Sequence, residues 1–339
     1  MVEANASRRH RTLLRLFLGG LVSGVALYLA LRNISWQTLY DALASVRQGY
    51  VLLAVLSVIL SSVIKAWRWQ MLFLPAKPAF FRVWETFLIG QMLNTVLPVR
   101  IGEVARVLLI DDGGDINRAD GISTIFLEKA ADLLMLGAAY LLTVVWLTLT
   151  AVNLPSWFTE AGPSLLAVAV GLVGGLFLLR YLGKPAYSLM LRVAGWLPRS
   201  WERRITGFLT DLRASFRRIK DQRVRRLLWL ISLLVWLTGS LTNYLMLRAF
   251  GFTVPPLAAV FLLVVLMSGI VVPTLPGNIG VFPYLSMLVL SLFGVSRASG
   301  LAFGFLLHLV VYISLLFLGG LSFLHRGIDV SRVLEPGSG

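Results

Sequence analysis

The chain has 339 residues, 58% hydrophobic and only 14% charged, with a mean hydropathy of +0.82. Water-soluble chains carry about a quarter charged residues, so the apolar excess must face lipid; this composition and the absence of cysteine exclude disorder, a disulfide scaffold, thiolate catalysis and Cys-ligated metals. The net charge of +15 reads as the topology signal of a membrane protein, whose Lys and Arg gather in cytoplasmic loops, and no nucleic-acid partner is expected.

A first span is predicted over 13–31, preceded by Arg8, Arg9, His10 and Arg11, which keep the N-terminus cytoplasmic. Arg32 and Asn33 follow it where a signal peptide would show a small-residue cleavage site, so the span stays uncleaved. Trp36, Leu39, Leu43 and Val46 recur at helical spacing and predict a short amphipathic helix on the outer interface. The second span, 50–74, returns inward to Lys65, Arg68, Lys77 and Arg82, with Arg68 read as an anchor at the inner interface.

Two short apolar pieces follow, 83–97 and 104–110, separated by Pro98, Arg100, Gly102 and Glu103. Each is too short to cross, which predicts a re-entrant hairpin (83–110) entered from the cytoplasm. The third span, 121–149, goes outward to a loop with Asn153, Pro155, Glu160 and Pro163 but no Lys or Arg. The fourth, 164–182, comes back to the most basic stretch, 184–226, where twelve Lys/Arg stand against Glu202, Asp211 and Asp221. Phe208, Leu212, Phe216 and Ile219 give that cytoplasmic loop an amphipathic helical pattern suited to anionic headgroups.

The fifth span, 227–250, goes out. Apolar pieces 257–273 and 285–293, broken by Pro273, Pro276, Gly277, Gly280 and Pro283, predict a second hairpin (257–293), now entered from outside. The last span, 301–324, ends at His325 and Arg326, and a tail from 328 to 339 frays. The expected fold is therefore an all-α polytopic membrane protein. It is a single membrane domain of six full spans plus two re-entrant hairpins, with both termini cytoplasmic.

The two breaks share a pattern, Leu97-Pro98-Val99-Arg100-Ile101-Gly102 and Leu275-Pro276-Gly277-Asn278-Ile279-Gly280, 178 residues apart. They fall at matching places in units of opposite orientation, 50–149 and 227–324, which predicts an inverted-topology repeat. Broken helices at matching positions of such repeats point to a substrate site near the membrane midplane. Backbone groups freed by Pro and Gly must be buried in protein or line a wet cavity, because hydrocarbon offers them no partner.

Charged residues inside apolar segments are the next candidates. Arg100, Glu103 and Arg106 at i, i+3, i+6 share a helix face next to Asn94, and a pair of arginines steadied by an acid suits a phosphate. Glu128, Lys129 and Asp132 lie within the third span; Lys129 can pair with Asp132, or Glu128 and Asp132 can pair with Arg100 or Arg106 to form a gating network around the hairpin. His308 stands in the last span, with Gly304 one turn before and Tyr312 one turn after. The other histidines, His10 and His325, sit near the termini, so no imidazole metal cluster is expected. Gly20/Gly24, Gly171/Gly175 and Gly300/Gly304 have GxxxG spacing, which serves contacts within one chain and in a homo-oligomer alike. Walker A, GxSxG and HExxH motifs are absent, so neither an enzyme nor a cofactor is expected.

The run Asn94-x3-Pro98-x-Arg100-x-Gly102-Glu103-x2-Arg106, then Glu128-Lys129-x2-Asp132, Pro273 to Phe282 and His308, resembles the membrane region of lysylphosphatidylglycerol synthases and related stand-alone flippase-like proteins. Lys129 and Pro283 depart from the family pattern. The resemblance implies a bacterial or archaeal inner-membrane protein that translocates a phospholipid or an isoprenoid-linked lipid. With no soluble aminoacyl-transferase domain in these residues, lipid aminoacylation is not expected. On this reading Arg100, Arg106 and Asn94 bind an anionic headgroup. Glu103, Glu128, Lys129 and Asp132 form a charge network, Asn278 with the backbone near Gly277 and Gly280 forms the outer half of the path, and His308 is a candidate for a substrate or proton role. The rivals are a transporter of a small soluble anion and a membrane scaffold that recruits a lipid or glycan synthase.

Overall fold

A computed structural model describes residues 23–32, 34–73, 78–97, 101–111, 118–149, 222–269 and 276–328, with a few isolated positions besides. Pro98, Arg100, Pro273, the start of the first span, the fourth span, nearly all of the basic loop and the tail lie outside the described residues. Among the described residues every regular element is helical. They are α1 (residues 23–31), α2 (Trp36–Ala44), α3 (Gln48–Met71), α4 (Phe80–Val96), α5 (Gly102–Asp111), α6 (Arg118–Leu149), α7 (Gln222–Ala249), α8 (Leu257–Gly269), α9 (Val281–Ser291) and α10 (Arg297–Arg326), with a single 3-10 turn at Pro276–Asn278.

Four of these, α3, α6, α7 and α10, are long and apolar enough to cross a membrane. The predicted spans 50–74, 121–149, 227–250 and 301–324 fall on them. The pieces predicted as hairpin arms are shorter. α8 has 13 residues, α9 11 and α5 10, so at about 1.5 Å per residue they run roughly 15–20 Å, well under a hydrocarbon core of about 30 Å.

The chain divides into two compact units, Met1–Val63 with Trp84–Arg106 and Leu237–Gly339, and Ile64–Val83 with Val107–Trp236. In the first unit, both short pairs are antiparallel helical hairpins. In α4/α5, Gly90 faces Arg106 and Asn94 faces Gly102, so one index rises as the other falls. In α8/α9, Gly269 faces Leu285 and Phe261 meets Phe293 edge-on at 6.5 Å, the same inverse order.

Both hairpins lie along α10. On its first half, Gly300 packs on Met287 and Gly304 on Pro283 of α9; a Cβ at Gly304 would stand 2.6 Å from the Pro283 backbone. The GxxxG spacing there serves an intrachain contact. On its second half, Gly319 packs on Leu88 and Met92 of α4, and the end of α10 is tied to the same helix: Arg326 donates to Thr86 Oγ1 at 2.7 Å, and His325 Nδ1 lies 2.6 Å from Glu85 Oε1.

Caps and polar bonds fix the ends. Ser35 Oγ accepts from the Thr38 amide at 3.1 Å to start α2, Ser296 Oγ accepts from Ser299 N to start α10, and Gly327 closes α10 with φ 56. The helix expected over 36–46 is present as α2, but of the expected apolar stripe Leu39 is buried while Trp36 and Leu43 are exposed. Between α3 and α7, Ser57 Oγ donates to the Thr238 carbonyl and accepts from Thr242 Oγ1. Such bonds hold membrane helices together where apolar burial adds no solvent-driven gain.

Of the described helices the second unit holds the end of α3, the start of α4, the end of α5, all of α6 and the first half of α7. Leu72, Leu127, Ala131, Val224 and Leu228 form its apolar centre, with Trp229 against it. Trp69 is fully buried, and its Nε1 donates to Thr124 Oγ1 at 2.9 Å.

Candidate functional site

The second helix break is shaped by backbone conformation. Gly277, Asn278 and Gly280 all have positive φ, at 77, 54 and 93. Glycine adopts such angles freely and asparagine tolerates them better than other residues, which explains the Pro-Gly-Asn-x-Gly run. Space is tight as well: a Cβ on Gly280 would stand 2.6 Å from the Ser23 carbonyl oxygen of α1. Pro276 opens the 3-10 turn, and α9 begins just after Gly280.

The first break is held by Asn94. Its Oδ1 accepts from the Gly102 amide at 2.8 Å, and its Nδ2 donates to Glu103 Oε2 at 3.1 Å, so one side chain on α4 caps the first turn of α5. Glu103 in that turn also complements the helix dipole. Gly102 lets α5 approach, since a Cβ would meet the Asn94 side chain at 2.6 Å. Arg106, one turn on, is buried, lies in the space left by Gly90, and places its guanidinium 5.0 Å from the centre of the Phe87 ring.

The second break reaches the last turn of α4, just before the first break, though the two are far apart in sequence. A Cβ at Gly277 would stand 3.8 Å from the Thr95 carbonyl oxygen and 3.4 Å from Tyr312 Cε1. Asn278 Nδ2 donates to the Tyr312 hydroxyl at 3.1 Å. His308 is stacked on Tyr312 with ring centres 4.0 Å apart and planes within 5°, and Phe282 meets it edge-to-face at 5.0 Å. Tyr312 is 15 residues from the start of α10 and 14 from its end, roughly 22 and 21 Å at 1.5 Å per residue. The junction therefore sits at mid-length of a helix long enough to span.

The structure thus gathers Gly277, Asn278, Gly280 and His308 with the α4 end, and gathers Asn94, Gly102, Glu103 and Arg106 inside the first hairpin. Tyr312 and Phe282 were not predicted as site residues. The signal for Tyr312 was its position one helical turn from an intramembrane histidine.

The second unit holds a separate charged network. Arg68, predicted as an interface anchor, is instead fully buried at 0% exposure. Its Nη1 and Nη2 donate to the two Asp132 oxygens at 2.6 and 3.0 Å, Nη1 also donates to Ser232 Oγ at 3.2 Å, and Glu128 Oε1 lies 3.5 Å from Nη2. Glu128 and Asp132 are one turn apart and turn the same face to the guanidinium. The acid pair therefore meets Arg68, a partner not among those expected from the sequence. Lys129 lies on the exposed side of α6. A charge inside a span demands a partner, and the same rule applied to Arg68 between Trp67 and Trp69 marks it as a paired residue without naming its partners. Among the described residues, no group of His, Asp and Glu could hold a metal ion.

Residues 16–319 match the family described as the lysylphosphatidylglycerol synthase TM region, and the chain belongs to that family. No curated protein matches the chain. The match covers all the helices described above up to the last turns of α10. Membership makes this a multi-pass membrane protein of a family linked to lipid-related processes.

Proposed function

We propose that this protein moves a lipid with an anionic, phosphate-containing headgroup between the leaflets of a bacterial or archaeal cytoplasmic membrane. The observation that carries the reading is the packing of the second helix break against the end of α4, just before the first break, at mid-length of α10, around Thr95, Gly277, Asn278, Tyr312 and His308. Irregular backbone at membrane depth is tolerated where it is buried in protein or lines a cavity, and paired broken helices mark midplane sites in transporters. Two helices, α5 and α9, begin beside the junction, and helix starts favour negative charge.

In this reading 50–149 and 227–324 are inverted repeats and α4/α5 and α8/α9 are re-entrant hairpins entered from opposite sides, in a protein of six spans with cytoplasmic termini. Arg100 and Arg106 of the first hairpin attract the phosphate on the inner half of the path, steadied by Glu103 and Asn94. Asn278 and the backbone at Gly277 and Gly280 form the outer half, while the acyl chains stay in the bilayer. The lipid is an anionic phospholipid or a polyprenyl-phosphate-linked one. The Arg68–Asp132–Glu128 network acts as a clamp holding the ends of α3, α6 and α7.

The test is leaflet exchange in proteoliposomes with fluorescent anionic, zwitterionic and polyprenyl-phosphate lipids, for wild type and Arg100→Ala/Arg106→Ala. Faster exchange of an anionic lipid, lost in the double variant, is the expected result. Exchange no faster than in empty vesicles for every lipid, with the protein folded, contradicts it.

A further inference from the structure

Where the second break packs on the end of α4, an anion crossing mid-membrane needs a counter-charge. Among the described residues the ring contacts of His308 are Tyr312 from its own helix and Phe282 from α9, with Asn278 of the break reaching Tyr312 and Gly277 of the break beside Thr95 of α4. Tyr312 is the other titratable member, and neither a carboxylate nor a basic side chain is among these contacts. His308 Nδ1 is buried and, among the described residues, has no hydrogen-bond partner. A buried polar nitrogen without a partner is costly, so the site is incomplete until something else binds there.

We propose that His308 takes up a proton together with the anionic headgroup, so that lipid and proton cross in the same direction. This rests on the lipid-transport reading above and names its energy source. The chemistry is a reversible proton transfer. The lone pair of the unprotonated imidazole nitrogen forms an N–H bond with a proton from water on one side, and that bond breaks to water on the other side as the headgroup leaves. The imidazolium supplies the positive charge that the phosphate needs. The phosphate in turn offsets the cost of a cation at mid-depth, so each ligand strengthens binding of the other. The stack on Tyr312 suits both states, because an aromatic face also accepts a cation. Asn278 donates to the hydroxyl of Tyr312, the ring stacked on the imidazole, which ties the break to the histidine.

The test uses the full chain in phosphatidylcholine/phosphatidylglycerol vesicles loaded with a pH-sensitive dye, with fluorescent phosphatidylglycerol as the probe and fluorescent phosphatidylcholine as control. Phosphatidylglycerol exchange is expected to rise several-fold as pH is lowered from about 8 toward about 4, because a larger share of the imidazole then carries the proton. Net inward movement of this lipid is expected to acidify the lumen. His308→Gln is expected to flatten the pH profile, and His325→Gln, at the end of the same helix, to leave it in place. Exchange that is fast but independent of pH, or lipid movement with no proton movement, overturns the proton step and leaves the lipid reading standing. No exchange at any pH overturns both.

Discussion

Arg68 and His308 are both ionisable side chains in membrane-length helices, and their surroundings differ in kind. Arg68 has no exposed surface and is met by two carboxylates and a serine within its own unit. His308 has aromatic rings on two sides and a buried nitrogen that no described group satisfies. In the first arrangement the guanidinium is paired where it stands by two carboxylates, with its Nε alone left without a hydrogen-bond partner among the described residues, and the bidentate geometry fixes three helices against one another. The second is open, and it lies where backbone regularity is also lost. The Arg68 pair and the irregular backbone thus belong to different units of this protein, and the proposed transport reading follows the irregular backbone.

The largest expected effect breaks the paired side of this comparison. Asp132→Ala leaves a fully buried guanidinium without its main partner and is expected to cost about 3–5 kcal/mol, read as a fall in the unfolding midpoint in mild detergent. Replacing the pair together, Arg68→Met with Asp132→Leu, is expected to recover most of that loss, since well-packed apolar residues often replace a buried pair at little cost. A double variant as unstable as the single one would mean that the charges do more than hold helices.

Packing at the glycines comes next. Gly304→Ala places a methyl group against the Pro283 backbone, and Gly319→Ala places one 2.8 Å from the Leu88 carbonyl oxygen. Each is expected to destabilise by about 1–3 kcal/mol in the same assay. The open side is probed by Asn278→Ala, which removes one hydrogen bond and is expected to cost only about 0.5–1.5 kcal/mol while cutting lipid exchange several-fold. The smallest effect is expected at His325→Ala. Its pair with Glu85 joins a side chain 78% exposed to one 15% exposed, and loss of such an accessible pair is expected to change stability by less than about 1 kcal/mol.

Much of the fold was legible in the sequence because its signals are local. Apolar length marked α3, α6, α7 and α10, and the Pro-Gly runs marked the two breaks within a few residues. The 3.6-residue spacing of Trp36, Leu39 and Leu43 marked α2. The site was legible in part. The Leu-Pro-x-x-Ile-Gly repeat named the two breaks, yet the packing of the second against the end of α4 along α10 depends on glycine contacts such as Gly304 on Pro283, which no local pattern encodes. Asn94 was read as a headgroup ligand, and the structure commits both ends of its amide to the Gly102 amide and Glu103. A capping role across eight residues, from one helix to the next, resembles a binding role in sequence because both ask for the same side chain. Arg68 was assigned to the interface because it stands near the end of an apolar run. Its partners come from α6 and α7, and pairing between helices is set by register, which composition does not reveal.

The most direct measurement of the central claim is leaflet exchange of fluorescent phosphatidylglycerol by two variants side by side, Asn278→Ala and Arg68→Met/Asp132→Leu, each checked for folding. The account predicts that the first loses most of its exchange and the second keeps it. Exchange retained by the first and lost by the second would contradict it and move the transport site to the charged network.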